Sequence, residues 1–562
     1  MSIVNGSLGR RHALLKACNL QRNPFSKTEP KADAIDRVFV GREAELRDAA
    51  WRVYDGPRNL LVVGGYGYGK TTFVRKLLRE LRMTETVSFL TGYASLQHDS
   101  PDGFRLAALT ALVEGALDVA QPGTRLHEFA MTTREELARL EPEARGPRVP
   151  DLLFRDGLAL VREAGIHRAI IAIDEIDKRD AQVVQGVVMG ARSLLDTEAS
   201  FILTGRYMDV FADIRSSLLA AFDHRIELEL FTPEELVEIL RRNLAVIRQQ
   251  PEETPSLAPF DSSVVDTIVA QSRGMPRPLN LMAYSALEEL LQTQTSLPAE
   301  ALRVTPEHLD RALQREGNLI YNGLGESERA LLAKIFRRTG YVSGAELSQL
   351  NPVEGLPGVV RELEQLSRED ALLRLEASTG PAFQLSPPVE HSLQELQRRR
   401  ERLLAQWNEL RARGEQEKDG RKLETFASAF FEESFTVGER NARTDTEELD
   451  LVLQVSRTSD PVFRKSSYLL VECKDWRTKK VDQSAISKLA TVLATRHLKQ
   501  GFLLTTGSFT EDARQQVRNV AQAMQVEVVL IDGGSMDAFL EDIRPVRDFL
   551  VDLHRQQVLR IR

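Results

Sequence analysis

Apolar residues follow two different patterns along this chain. In the first half they form unbroken runs, Leu60-Leu61-Val62-Val63 after Asn59 and Ala169-Ile170-Ile171-Ala172-Ile173, as expected of buried strands over 59–63 and 169–173 bounded by turn residues. In the last quarter they alternate. Over 447–455 the period is two, which puts Asp450, Val452 and Gln454 on one face and Leu449, Leu451, Leu453 and Val455 on the other. Tyr468–Lys474 reads as a further strand, with Glu472 and Lys474 sharing a face and Leu469, Val471 and Cys473 turned away. Between these regions the pattern predicts helices over 325–340, 342–350 and 356–368, strands over 372–376 and 383–385, and a helical spacer over 390–415. A helix from Glu511 follows.

Two stretches of the pattern carry chemistry. The first strand runs directly into Gly64-Gly65-Tyr66-Gly67-Tyr68-Gly69-Lys70-Thr71-Thr72 and a helix over 72–82. Glycines at this spacing between strand and helix let backbone N–H groups wrap phosphates. Lys70 then supplies charge to the outer oxygens, and the Thr71 hydroxyl is placed to ligate Mg²⁺ at the helix N-terminus. The strand 169–173 ends in Asp174-Glu175, a carboxylate to hold Mg²⁺ followed by one to polarise an attacking water. ATP and Mg²⁺ are therefore the expected cofactors.

The second stretch is Asp450 followed by Glu472-x-Lys474. Paired strands would bring both carboxylates to one hard cation, with Lys474 placed to orient or deprotonate water. Glu448 is a secondary ligand candidate. An exposed Glu-x-Lys pair is commonly only a surface salt bridge. Here Glu472 follows four residues that suit a central strand, where an unpaired charge is costly to bury. Trp476, Arg477, Lys479 and Lys480 either add local positive charge suited to a phosphate backbone or, equally, solvate a loop.

Composition bounds these readings. The 562 residues exceed one hydrophobic core, and 42% hydrophobic with 28% charged is ordinary globular composition, so three or four domains are expected. A net charge of −8 restricts nucleic-acid contact to local patches. The two cysteines, Cys18 and Cys473, fit neither a disulfide framework nor a zinc site. No apolar signal core opens the sequence and no run is long enough to span a bilayer. A soluble cytoplasmic protein without membrane partners is the expectation.

Further segments resemble one superfamily. Phe39-Val40-Gly41-Arg42-Glu43, the glycine loop, the Asp174-Glu175 pair, Phe201-Ile202-Leu203-Thr204 and Gly274-Met275-Pro276-Arg277 together resemble AAA+ ATPases of the initiator clade and related STAND signalling ATPases. The resemblance spans about 20–318. It implies that Thr204 is a sensor of the γ-phosphate, that Arg277 is a lid arginine above the nucleotide, and that the chain forms homo-oligomers. An arginine finger would come from Arg206, Arg215 or Arg225, with Arg225 favoured. The three helices and hairpin after the lid have the order of a winged helix, for which DNA contact and protein packing weigh equally. The run Arg398-Arg399-Arg400 with Arg402 tracks phosphate or simply solvates a spacer, the second being favoured.

The last quarter, about 420–545, is similar to the PD-(D/E)xK nucleases, and Gly501–Thr510 with Val528–Gly533 narrows this to the Mrr-like branch. That resemblance implies Asp450 and Glu472 as metal ligands and Lys474 as a catalytic residue. It also assigns Glu424 to the first acidic position and Gln483 to a polar position after the Glu-x-Lys strand. Leu449 replaces the family's usual proline. The sequence thus predicts a multidomain α/β protein. Its expected parts are an N-terminal segment (1–36), a P-loop core (37–230), a helical lid (231–320), a winged-helix-like part (323–389), a helical linker (390–417) and a restriction-endonuclease-like α/β domain (418–562). The function expected is an ATP-regulated, Mg²⁺-dependent DNA endonuclease of bacterial restriction or anti-phage defence. One alternative is a sensor ATPase that a phage-derived or other protein activates, releasing the nuclease through ATP-driven oligomerisation. The other is an ATP-switched DNA-binding protein that does not cut.

Overall fold

The computed structural model describes residues 3–26, 35–56, 58–139, 148–176, 181–205, 222, 224–250, 256–294, 302–350, 355–377, 380–412, 420–443, 448–455, 462–463 and 465–559. The chain divides into two compact units, residues 1–317 with 341–388, and residues 318–340 with 389–562.

The first unit is built on β1 (Leu60–Val63), β2 (Phe89–Ser95), β3 (Arg168–Asp174), β4 (Ser200–Gly205) and β5 (His224–Glu227), all parallel in the order β2-β3-β4-β1-β5. The reason for the unbroken apolar runs is that each strand packs on both faces. Leu61, Val63, Ile171, Ile173, Phe201 and Leu203 meet Phe104 and Phe154 on one side. Leu60, Val62, Ile170, Ala172 and Ile202 meet Phe73, Val74 and Leu77 of the helix Lys70–Met83 on the other.

The lid follows as helices Pro233–Val246, Ser262–Ser272 and Pro276–Thr293. Its first helix starts at a capping box of Thr232 and Glu235, which satisfies two of the backbone donors a helix start leaves open. The N-terminal segment is part of this layer. Leu14, Leu15, Cys18, Leu20 and Phe25 sit in one core with Leu236, Ile239, Leu279 and Met282. Arg11 of the helix Ile3–Ala17 clamps Glu288 with bonds of 2.8 and 2.7 Å.

A small sheet, β6 (Tyr341–Ser343), β7 (Leu372–Ala377) and β8 (Gly380–Leu385), is antiparallel in the order β6-β8-β7. The helix Gly355–Arg368 and the β7–β8 hairpin are as expected. The helix expected over 342–350 is instead β6 and a 3₁₀ turn, Gly344–Gln349. Val342 is fully buried in the β6–β8 pairing, and a capping box of Ser343 and Glu346 closes only the short turn that follows.

The second unit holds the helix Glu326–Arg337 and a mixed sheet of β9 (Thr436–Arg443), β10 (Glu448–Gln454), β11 (Tyr468–Lys474), β12 (Gln500–Thr505) and β13 (Glu527–Ile531). The order is β13-β12-β11-β10-β9, so β11 is central. One face carries Leu451, Leu453, Leu469, Val471, Phe502 and Ile531 onto Phe426, Phe430 and Trp407. The other carries Leu470, Leu503, Val528 and Leu530 onto Ile486, Leu489 and Val517. Alternation predicts these faces except at Leu449, which joins the second cluster.

The spacer is one helix, Pro387–Ala412, packed on this unit through Leu403, Trp407 and Leu410. Its arginines are committed. Arg398, Arg399 and Arg402 share Glu395 at 3.5, 3.0 and 3.5 Å, and Arg400 is buried over the Phe539 ring at 3.6 Å.

Candidate functional site

In the first unit, β1 delivers the glycine loop to the sheet edge and the helix Lys70–Met83 begins where it ends. Gly67 and Gly69 both have φ of +83°, a conformation other residues adopt only at a cost. At Gly65 a Cβ would lie 2.4 Å from the Tyr68 ring. Gly64 and Gly65 present their carbonyls to the buried Lys70 ammonium, each at 3.0 Å. Thr71 and Thr72 occupy the first turn, half-buried, where backbone N–H groups are unpaired within the helix. Arg42 reaches the same loop. It has φ of +65°, donates to the Glu229 carbonyl at 2.8 Å and lies over the Phe231 ring at 4.1 Å. Burial lowers its guanidinium to about 10.

The strand β4 separates β1 from β3 and sets Thr204 beside Asp174. Asp174 is 2% exposed. Its Oδ1 accepts from the Thr204 hydroxyl and from the Glu175 N–H at 2.8 Å, and its Oδ2 accepts from the Tyr93 hydroxyl at 2.8 Å. Glu175 has φ of +65°, an uncommon conformation for a side-chain-bearing residue and one found at functional positions. Arg277 opens the helix Pro276–Thr293, stacks over the Tyr66 ring at 4.9 Å and pairs bidentately with Asp370 at 3.1 and 3.0 Å. Sequence reasoning missed Tyr93 and Asp370. Nothing in the local sequence distinguishes Tyr93, and Asp370 arrives through a left-handed turn of φ +59°. Arg225 is paired with Glu227 at 2.5 Å, and Arg206 and Arg215 lie outside the described residues.

In the second unit, β10 and β11 are antiparallel with Leu451 opposite Val471, and continuing that register sets Asp450 opposite Glu472. Asp450 Oδ2 accepts from the Cys473 N–H at 2.6 Å. Burial pushes its carboxyl up to about 6; the Cys473 hydrogen bond opposes this, and the charges of Glu472 and Glu424 add to it. Lys474 Nζ donates to Glu472 Oε1 at 2.5 Å. Glu424, on the helix Gly420–Phe431, has a buried Oε2 that accepts no hydrogen bond among the described residues. Burial, then the surrounding acids, hold the Cys473 thiol well above its usual value. Gln483 begins the helix Gln483–Thr495 with an exposed side chain. The side chain of Glu448 lies outside the described residues.

The end of β11 is braced from behind. Thr505 donates to the Lys474 carbonyl at 2.7 Å and Thr506 to buried Asp475 at 2.8 Å. At Gly507 a Cβ would lie 1.9 Å from the Trp476 carbonyl. Among the described residues, no three His, Cys, Asp or Glu side chains form a closed metal cage. Two facing carboxylates and the unpartnered Glu424 oxygen fit a hard ion such as Mg²⁺, which keeps several water ligands and takes others from a phosphate substrate.

The family described as Novel STAND NTPase 1 matches residues 29–433, and the restriction endonuclease family Mrr_cat matches residues 416–540. Among solved structures, the Aeropyrum pernix ORC1 protein in complex with DNA is similar at 19% identity, covering 66% of this chain and 97% of that one, with a TM-score of 0.39. The Thermotoga maritima RuvB Holliday junction branch migration motor is similar at 16% identity, covering 61% and 92%, with a TM-score of 0.32. Cdc6p from Pyrobaculum aerophilum follows at 12% identity, covering 65% and 99%, with a TM-score of 0.31. No curated protein matches. Among the described residues no helix is long and apolar enough to cross a membrane. The glycine loop, the Asp174-Glu175 strand end and the facing Asp450 and Glu472 thus lie within two matched hydrolase families, and the chain belongs to the Novel STAND NTPase 1 family, with an Mrr-type restriction-endonuclease domain at its C-terminus.

Proposed function

We propose that this ATPase–nuclease fusion is an ATP-regulated, Mg²⁺-dependent DNA endonuclease of bacterial restriction or anti-phage defence. The observation that carries the reading is the acid pair across β10 and β11, with Lys474 two residues beyond Glu472 on the central strand. Asp450 and Glu472 would hold Mg²⁺, whose chemistry there is to polarise water and offset charge on the scissile phosphate. Lys474 orients that water, while Glu472 holds its ammonium in place. Glu424 adds negative charge behind Asp450. Gln483 stands at the edge of this reading as a candidate contact to the DNA.

In the ATPase the loop 64–72 cradles the phosphates, and Lys70 balances their charge. Thr71 and Asp174 would hold Mg²⁺. Glu175 polarises the attacking water, Thr204 couples Asp174 to the γ-phosphate, and Arg277 reads it from the lid. The boundaries 37–230, 231–320, 323–389, 390–417 and 418–562 are proposed on the same grounds, as are assembly of like chains and a cytoplasmic setting.

The sensor reading, in which a phage-derived or other protein activator triggers ATP-driven oligomerisation, is favoured by one observation. Arg277 is already occupied by Asp370, so ATP must compete for it.

Supercoiled plasmid incubated with wild type and Lys474→Ala, with and without Mg²⁺ and ATP, tests the nuclease. Nicking or linearisation by wild type alone, dependent on Mg²⁺ and responsive to ATP, is expected. Equal cutting by Lys474→Ala would refute the assigned site.

A further inference from the structure

The carboxylate of Asp174 is held by more than the residues that mark the nucleotide site in sequence. An ionised carboxylate has about four acceptor positions, and three are committed here. Two on Oδ1 go to Thr204 and the Glu175 N–H, and one on Oδ2 goes to the Tyr93 hydroxyl at 2.8 Å. Tyr93 lies on β2, the strand beside β3, with its backbone in register with Ala172. Its ring lies under the Arg75 guanidinium at 4.6 Å, and Arg75 is one turn beyond Thr71 on the helix that the glycine loop opens.

We infer that Tyr93 is a positioning residue for ATP hydrolysis: its hydroxyl fixes the rotamer of Asp174 so that the remaining Oδ2 lone pair faces the Mg²⁺ hydration shell, and its ring ties that carboxylate to the phosphate-binding helix through Arg75. The inference rests on the nucleotide-site reading above. Partners that orient a metal-binding carboxylate typically change metal affinity by about 10- to 100-fold, and the lower end suits contact through water. Tyr93→Phe keeps the ring, its volume and the Arg75 stack, and removes only the hydroxyl.

The test is equilibrium binding of a fluorescent ATP analogue to the full chain, first in EDTA and then with Mg²⁺ titrated in, alongside a thermal melt. For Tyr93→Phe we expect an unchanged dissociation constant in EDTA, an unchanged melting temperature, and a Mg²⁺ midpoint raised about tenfold. An unchanged Mg²⁺ midpoint would overturn the positioning role. So would a parallel loss of EDTA binding and melting temperature, which would mark Tyr93 as structural only. Wild type that binds no nucleotide under either condition would overturn the nucleotide site itself, a distinct failure because it is seen without the variant.

Discussion

The surroundings that would suit Asp450 to a metal ion also make its carboxyl a liability. Burial, with Glu472 and Glu424 nearby, raises its carboxyl from 3.8 to about 6. The folded chain therefore holds this proton to higher pH than the unfolded chain does. The associated stability is fully present below about pH 4 and is lost as pH rises through about 6. Asp450→Asn keeps an acceptor for the Cys473 N–H and removes the buried charge. In metal-free buffer the variant should melt several degrees above wild type at pH 8, with the gap closing toward pH 5. A gap independent of pH would show that the carboxyl charge is not its source. The shared face of Glu472 and Lys474 was legible at this scale because alternation alone sets it. The raised carboxyl was not, because it depends on Glu424 arriving from a separate helix.

At the scale of elements, the helix Pro387–Ala412 shows how a pattern suggestive of surface charge becomes an anchor. Arg400 donates to the Arg544 carbonyl at 2.7 Å, lies 3.9 Å from buried Glu433 and stacks on Phe539. Burial lowers its guanidinium to about 10. Arg400→Ala leaves Glu433 without its cation and should cost about 3 kcal/mol of stability. Arg399→Ala, on an exposed pair with Glu395, should cost less than about 1 kcal/mol. Chemical denaturation of both variants reads the difference, and equal losses would mean that Arg400 is not the anchor. The four arginines look alike in sequence. Only packing separates the buried one from three that share a carboxylate. The same limit explains the missed β6, since three residues hold a strand only when a partner such as β8 is present.

For the whole molecule, the question is what ATP must displace. Within the first unit the bidentate Arg277–Asp370 pair occupies the lid arginine. If ATP gates the nuclease by recruiting that arginine, Asp370→Asn should lower the ATP concentration for half-maximal plasmid cleavage by about twofold to fivefold, the scale of a lost partly exposed ion pair. An unchanged ATP dependence would detach Asp370 from control. The sequence by itself determined the hydrolase chemistry and its order along the chain. Phosphate loops and Glu-x-Lys strands depend on spacings of a few residues, which strand and helix periods convert directly into geometry. Tertiary structure alone decided which partners those residues meet. Tyr93 on Asp174, Asp370 on Arg277, Glu424 near Asp450 and the N-terminal helix in the lid core are contacts between segments far apart in sequence. They are set by how β-sheets and helices pack, which no local pattern encodes.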